Sequence, residues 1–371
     1  MRLALVGPTH PYKGGIAQHT TVLAHRLCAA GHEVDLVSWR AQYPAFLYPG
    51  EQRVPDGRPE GEPYARTSYP LDWRRPDGWW RTGRSLRSYD VVVVVHATPV
   101  QVPAYLSLLT AVGRGAARPR IITVVHNVLP HETRPGDRQL VRAFLRRVDG
   151  AVVHSVEQAS LAGSLGAGRV AVAELATHLR SRVTDRRGPA RPGGRRLLFF
   201  GLVRPYKGLD VLLDALVEVP GTSLVVAGEF WGGVEDTRRT IEALGLSDRV
   251  ELRPGYVPSE DVAGLFADAD ALVLPYRSAT SSGNVALAFD HGVPVVASSV
   301  GDLPRRVRDG VDGLLVPPED ARALAAALNR LYEPGELDRL RSGISAPDGD
   351  AIWQSYVSAV TDLGSATAGD R

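Results

Sequence analysis

Apolar positions recur along this chain in two rhythms. Short, nearly unbroken apolar runs alternate with stretches in which an apolar residue returns every three or four positions. "RLALVG" is a run of the first kind and ends in Gly7. After a loop, Ile16, Leu23, Leu27 and Ala30 recur at helical spacing, and Gly31 suits the position just past a helix end. "EVDLVSW" is the next strand, and a Pro-, Gly- and Arg-rich stretch from about Tyr43 to Pro76 reads as a loop. Three later runs share one form: "VVVVVH" ends at His96, "IITVVH" at His126 and "GAVVH" at His154. β-Branched runs without alternation mark parallel strands buried on both faces. In open α/β sheets ligands sit beyond the carboxyl ends of such strands, so each histidine either meets a ligand there or caps its strand end by a local hydrogen bond.

Residues 184–195, "TDRRGPARPGGR", hold no apolar residue but Ala190 and read as a linker. The pattern then restarts with "RLLFFG", a loop carrying Arg204 and Lys207, and a helical face of Leu209, Leu212, Leu213 and Leu216. "SLVVAG", "RVELRPG", "ALVLPY" and "PVVASS" continue as strands with helices between them. The chain is thus α/β, with two Rossmann-like, doubly wound parallel-sheet domains, residues 1–184 and 196–345, facing a central cleft. In residues 346–371, "DAIWQSYVSAVTDL" reads as a helix with Ile352, Tyr356, Val357 and Val360 on one side, packing back on the N-terminal domain, before a frayed tail.

The 371 residues fit about two domains at roughly 150 residues each. The single cysteine, Cys28, excludes an internal disulfide and fits a reducing compartment; on its helix it reads as a small core residue. "MRLALVG" is too short for a signal h-region, and no apolar run approaches the roughly 18 residues needed to span a bilayer. These features point to a cytoplasmic chain, peripheral to a membrane at most. Charge is split: residues 1–185 carry 23 Lys and Arg against 15 Asp and Glu, whereas the remainder carries 20 against 26, so the basic half is the one suited to an anionic partner. No nucleic-acid-binding signature accompanies that charge, which leaves an anionic membrane surface as the better partner. "DWRRPDGWWRTGRSLRSYD" interleaves Trp73, Trp79 and Trp80 with Arg74, Arg75, Arg81, Arg84 and Arg87, as an interfacial segment or a surface helix with its Trp residues in the core would.

"PYKG" occurs twice, at Pro11–Gly14 and Pro205–Gly208, and Lys13 and Lys207 are the only lysines among 43 basic residues. Neither half has GxGxxG or a P-loop after its first strand, which disfavours dinucleotide enzymes and NTPases. No metal-ligand spacing appears, so neither a metal nor another cofactor is expected.

"KGGIAQHT" after the first strand, "GLVRPYKGLDVLLDAL" opening the second half, and "ADALVLPY", "GVPVVASSVGDLP" and "DGVDGLLVPPED" after it together resemble the GT4-type retaining glycosyltransferases (glycosyl transferases group 1) of GT-B fold. The resemblance implies a nucleotide-diphosphate sugar donor, UDP- or GDP-linked, a glycan, lipid-linked or small-molecule acceptor, and metal-independent transfer with retention. Arg204 and Lys207 match the family's phosphate-binding pair. Fixed cations aimed at the leaving phosphates would lower the barrier, and a helix N-terminus beside them is itself an anion site. Gly14 and Gly15 would let backbone approach the donor closely, with Lys13 on the acceptor side. His96 matches the histidine near the transferred sugar, and His126 with Asn127 the pair lining the acceptor side. Ser281, Ser282, Gly283 and Asn284 would face the sugar and phosphates.

The family usually carries two glutamates eight residues apart. Here those positions are Ala279 and Leu287, and a third usual glutamate is Arg305. These absences keep open one alternative, a catalytically weak sugar-nucleotide-binding or partner subunit; the other, a GT-B sugar-nucleotide epimerase, would need a carboxylate-rich site that the sequence does not show.

Overall fold

The computed structural model describes residues 1–44, 52–54, 57, 59–114, 118–130, 132–175, 194–279, 283–345 and 348–366. The chain divides into two compact units, Met1–His178 with Asp348–Arg371, and Leu179–Pro347. Most of the stretch read as a linker, residues 184–193, and the tail from residue 367 lie outside the described residues.

The first unit contains strands β1 (Arg2–Val6), β2 (Glu33–Ala41), β3 (Thr67–Asp72), β4 (Val91–His96), β5 (Arg120–Val125), β6 (Gly150–Val153) and β7 (Arg169–Val172). Helices α1 (Gly15–Ala29), α2 (Pro76–Ser85), α3 (Val102–Val112), α4 (Asp137–Leu145) and α5 (Val156–Ser164) lie on the connections. The seven strands form one sheet in the order β3-β2-β1-β4-β5-β6-β7, with every pair parallel. Unbroken valines in β4 follow from burial on both faces. Val92 and Val94 pack with Tyr105 and Phe144 on one side. Val91, Val93 and Val95 pack with Leu23, Leu27 and Tyr356 on the other.

Two expectations are corrected here. The stretch read as a loop before Pro76 contains β3, an edge strand in which Pro70 is tolerated because a sheet edge needs no inward N–H at every residue. Cys28 is exposed. Helix α1 turns Leu23, Ala24 and Leu27 into the core, and one residue further round the helix faces away.

The second unit repeats the plan with β8 (Arg195–Phe200), β9 (Thr222–Gly228), β10 (Val250–Pro254), β11 (Ala271–Leu274), β12 (Val295–Ser298) and β13 (Gly313–Val316). Its helices are α6 (Leu209–Val217), α7 (Glu235–Ala243), α8 (Ser259–Ala267), α9 (Gly283–Asp290), α10 (Leu303–Arg306), α11 (Ala321–Leu331) and α12 (Glu336–Gly343). The sheet is six-stranded and parallel, in the order β10-β9-β8-β11-β12-β13. Strand order reverses beside β1 in one unit and beside β8 in the other.

Helix α13 (Gly349–Ser365) belongs to the first unit, as its apolar spacing implies. Asp348 caps it by accepting from the Asp350 and Ala351 amides. Arg26 of α1 pairs with Asp350 at 2.6 Å. Tyr356 and Val360 are fully buried, and Trp353 and Leu363 join them, while Ile352 and Val357 lie at the margin. Among the described residues no helix is long and apolar enough to cross a membrane.

Because Tyr356 is wholly enclosed under this helix, Tyr356→Ala should cost about 3–5 kcal/mol, the range for emptying a large aromatic site. The check is the urea midpoint of the first unit's unfolding transition, which should fall accordingly.

Candidate active site

In the second unit, the chain leaves β8 through Gly201 at φ +97 and runs to a single 3-10 turn, Pro205–Lys207. Gly208, at φ 66, caps α6. A side chain at Gly208 would put its Cβ 2.0 Å from the Pro275 carbonyl oxygen, so the turn lies directly on the segment that follows β11. Gly228 is squeezed likewise: a Cβ there would stand 1.9 Å from the Gly201 carbonyl oxygen. Glycines thus let three backbones converge where the strand order reverses.

Lys207 ends this turn with only 8% of its surface exposed. Its Nζ lies 5.3 Å from the centroid of the buried Tyr276 ring. A Cβ built on Gly201 would be 3.5 Å from both Lys207 Nζ and Asn284 Nδ2, so the ammonium and the amide flank the same glycine. Asn284 donates that amide to the Phe200 carbonyl at 3.0 Å. Among the described residues no acceptor or carboxylate holds the ammonium. Burial lowers the Lys207 pKa, Tyr206 opposes this, and the Arg204 charge adds to it. Arg204 stacks with its guanidinium carbon 4.0 Å from the Trp231 ring centroid, which fixes the plane of its fork. A largely buried cation with no carboxylate beside it among the described residues, next to a stacked guanidinium and ahead of a helix N-terminus, forms a seat for a multiply charged anion.

The first PYKG ends the same way. Gly14, at φ 92 and ψ 167, is the residue before α1, and Gly15, exposed, is the helix's first residue. Nothing lies within 4 Å of a Cβ at Gly14, so its backbone angles alone require glycine. Lys13 donates its backbone N–H to the Gln52 carbonyl at 3.3 Å. Upstream, a Cβ at Gly7 would be 2.8 Å from Val95 Cβ, which brings this loop against β4.

The three alike histidines separate by pleat. His96 pairs in register with Val125, so His126 lies one residue beyond it and faces the other way. The His96 ring lies 5.3 Å from Phe144, fully buried, with neither ring nitrogen hydrogen-bonded among the described residues. Burial pulls its pKa down to about 4. His126 instead joins His19 at 5.0 Å and His154 at 5.1 Å, and His154 stacks on Tyr356 of α13. His154 also meets the Ala173 carbonyl at 3.2 Å through Nδ1. Asn127 follows at the same edge, half-buried. The fold brings Lys207, Arg204, Gly283 and Asn284 to one edge of the second sheet. Ser281 and Ser282 lie outside the described residues.

The Arg/Trp segment forms the end of β3 and α2. Trp79 donates Nε1 to the Asp72 carbonyl at 2.8 Å and packs on the core. Arg75 and Arg81 both pair with Asp77. Trp80, 45% exposed, is the tryptophan left facing outward.

Comparison with known proteins identifies the family. Residues 13–182 match the family described as Glycosyltransferase Family 4, and residues 194–334 match Glycosyl transferases group 1. The chain belongs to the group 1, family 4 glycosyltransferases. A D-inositol 3-phosphate glycosyltransferase of Mycobacterium marinum is 34% identical over 197 residues, covering 49% of this chain and 41% of that protein. One of Streptomyces bingchenggensis is 33% identical over 256 residues, covering 62% of this chain and 54% of that protein. These matches therefore span about half or less of those relatives' length. Sucrose-phosphate synthase from Thermosynechococcus elongatus superposes with a TM-score of 0.77 at 21% identity, over 99% of this chain and 100% of that one. Anabaena Alr3699/HepE in complex with UDP and glucose superposes with a TM-score of 0.73 at 17% identity, over 97% and 99%. The fold of this family 4 chain is GT-B.

Against the family pattern, Leu287 is 4% exposed and packs in an apolar cluster with Val285 and Phe289. The Ala279 carbonyl oxygen sits where a Cβ on Gly301 would be 1.8 Å away, so this loop too is held by a glycine contact. Arg305 lies exposed on α10. Sequence reasoning passed over Trp231, Tyr276 and Arg277. An aromatic just past β9 and an Arg just past β11 were the available signals.

Two outcomes follow. Gly14→Ala should cost about 1–3 kcal/mol from backbone strain alone. Gly208→Ala should cost more, since the Pro275 backbone must also move; equilibrium unfolding of both variants tests the ranking. For His96, the unfolded chain takes up a proton below the ordinary 6.5 while the folded ring resists it down to about 4. Stability is then fully present above 6.5 and falls between 6.5 and 4, by on the order of 3 kcal/mol from this group. Replacing His96→Leu should flatten that part of the stability-against-pH curve relative to the parent.

Proposed function

We propose that this family 4 chain moves a sugar from a UDP- or GDP-linked donor to an acceptor hydroxyl, with retention of anomeric configuration and without a metal. The observation that carries the reading is Lys207, a buried ammonium with no protein anion beside it among the described residues. Such a charge is costly to bury, and a ligand that brings two phosphates offsets the cost. As the bond from the anomeric carbon to the leaving oxygen breaks, charge grows on the diphosphate. Lys207, Arg204 and the first amides of α6 stabilise it there. The acceptor oxygen bonds to the anomeric carbon on the face the diphosphate leaves, and the acceptor's proton passes to the leaving phosphate oxygen. This route needs no carboxylate base, unlike the paired acids of glycosidases, and so accommodates Ala279 and Leu287. Gly283, Asn284, Ser281 and Ser282 are assigned to the sugar and phosphates. His96 is assigned near the sugar as a neutral ring, set behind the site's surface because it is wholly enclosed against Phe144.

Lys13, Gly14, Gly15, His126 and Asn127 are assigned to the donor phosphate's approach and the acceptor side of the first unit. The basic balance of that half favours an anionic acceptor, whether a glycan, a lipid-linked intermediate or a small phosphorylated one. The curated relatives' name, D-inositol 3-phosphate glycosyltransferase, fits the last of these. Trp80 with Arg74 and Arg84 would meet an anionic membrane from the cytoplasmic side, its attraction screened by salt.

One observation favours a second reading. Leu287 makes the position of a usual sugar- or ribose-binding carboxylate part of the core, as a binding subunit without turnover would allow.

Melting the protein with a panel of nucleoside diphosphates separates the readings, because a ligand bound only to the folded state raises stability as RT ln(1 + [L]/Kd). UDP or GDP should stand out, and the matching nucleotide sugars should be turned over with an acceptor. Binding without turnover favours the subunit reading, and no response to any nucleoside diphosphate sinks both. Lys207→Arg, which keeps the charge but not the slim stem, should lose about 1–3 kcal/mol of transition-state stabilisation in kcat/KM. Full activity in that variant would remove Lys207 from the site.

A further inference from the structure

Arg277, three residues past the end of β11, reaches three separate segments of the second unit. Its Nη1 donates to the Pro205 carbonyl at 2.7 Å and to Asp210 Oδ1 at 2.9 Å. Its Nη2 donates to Asp210 Oδ2 at 2.6 Å, and its Nε to Glu319 Oε1 at 2.9 Å. Four of the five guanidinium N–H directions are thus committed. Its own backbone N–H donates to the Tyr206 carbonyl at 2.8 Å. Both carbonyls at the start of the Pro205–Lys207 turn are therefore held by one residue, and Asp210, in the first turn of α6, is held from the far side. Glu319 is the one non-glycine residue with positive φ, 57, among the described residues, a conformation that persists only when its surroundings enforce it. Two carboxylates neutralise Arg277, so it has little charge left to offer a phosphate. The hydrogen bonds to Arg277 also hold the Asp210 carboxyl below its ordinary range.

We propose that Arg277 is a positioning residue that clamps the Pro205–Asp210 turn onto the β11 and β13 loops and thereby fixes where the Lys207 ammonium stands. As a statement about donor binding, it rests on the reading of Lys207 given above. Arg is required for geometric reasons: a planar fork can grip a carboxylate with two parallel bonds while reaching a carbonyl and a second carboxylate, and an ammonium cannot. Gly208, pressed on the Pro275 carbonyl, and Tyr276, under the Lys207 Nζ, are the two sides of the same seam.

The composition of the chain supplies the probe. Lys13 and Lys207 are the only lysines, so reductive methylation with ¹³C-formaldehyde labels two side-chain amines besides the N-terminal amine, and Lys13→Arg and Lys207→Ala, each removing one signal, assign them. In the parent, the Lys207 signal should titrate below the ordinary lysine range, as its burial requires. In Arg277→Gln that midpoint should move upward as the turn loosens toward water, while the Lys13 signal stays where it was. Calorimetry with UDP and GDP provides the second arm. Arg277→Gln should weaken binding roughly ten- to a hundredfold, the scale of losing one hydrogen bond to a charged group. In a Lys207→Ala background the same change should add almost nothing, because its effect passes through the lysine. An unmoved Lys207 signal in a folded variant, or losses that simply add, would overturn the proposal. Should Arg277→Gln not fold, Glu319→Gly, which suits the left-handed backbone and removes one anchor, must shift the signal in the same direction by less; if it does not, the clamp is refuted. A shifted lysine in a protein that binds neither nucleotide would leave the clamp standing and dismiss the nucleotide-sugar donor.

Discussion

Parallel strands can be joined only by crossovers, and crossovers of one hand laid outward from a first strand in both directions leave a gap above that strand. Each unit of this chain is built that way, with β1 beside β4 and β8 beside β11. The PYKG loops stand at those two gaps. They leave β1 and β8, and each ends in a positive-φ glycine before a helix. The shared letters thus mark a shared geometric demand. Each loop turns the chain from a strand edge into a helix while leaving the helix N-terminus open. The detail differs. Gly208 is pinned by a neighbouring carbonyl, whereas Gly14 borders open space.

Why lysine appears at these two places and arginine everywhere else is clearest at Lys207. Arg204 is already spread flat over Trp231, and Arg277 is already forked into Asp210 and Glu319. A guanidinium in place of Lys207 would be the third on this turn and would need more room than the ammonium. A slim stem with a point charge fits beneath the glycine at β8's end and over the Tyr276 ring. Positive charge around this turn is therefore divided by shape: one planar cation stacked, one planar cation bracing, one compact cation between strand end and ring.

Much of this was legible in residue order. Apolar rhythm alone separates the two sheets, and the Arg204–Lys207 spacing marks the loop that matters. Other features were closed to sequence reasoning for a physical reason. Whether His96 and His126 share a face depends on register between β4 and β5, and a one-residue offset reverses the answer without changing a letter of either run. Arg277 meets partners 67 and 42 residues away, and nothing local announces such a contact. Cys28 shows the converse, since one step round α1 moves a residue from core to surface. The strand β3 escaped notice because a proline at a sheet edge looks like a turn signal until the edge is known.

Helix α13 has a further consequence in time. Its Trp353, Tyr356, Val360 and Leu363 complete the apolar cluster of the first unit, yet they follow the whole second unit in the chain. A ribosome making this protein delivers β1 to β7 long before it delivers their last covering layer. The part of that sheet face left beside α1, with the His126 and His154 rings, must wait for its last cover while about 170 residues of another domain emerge and fold. The first unit begun is thus the last finished, and a nascent chain stalled before residue 349 would present that apolar face to chaperones rather than to its own helix.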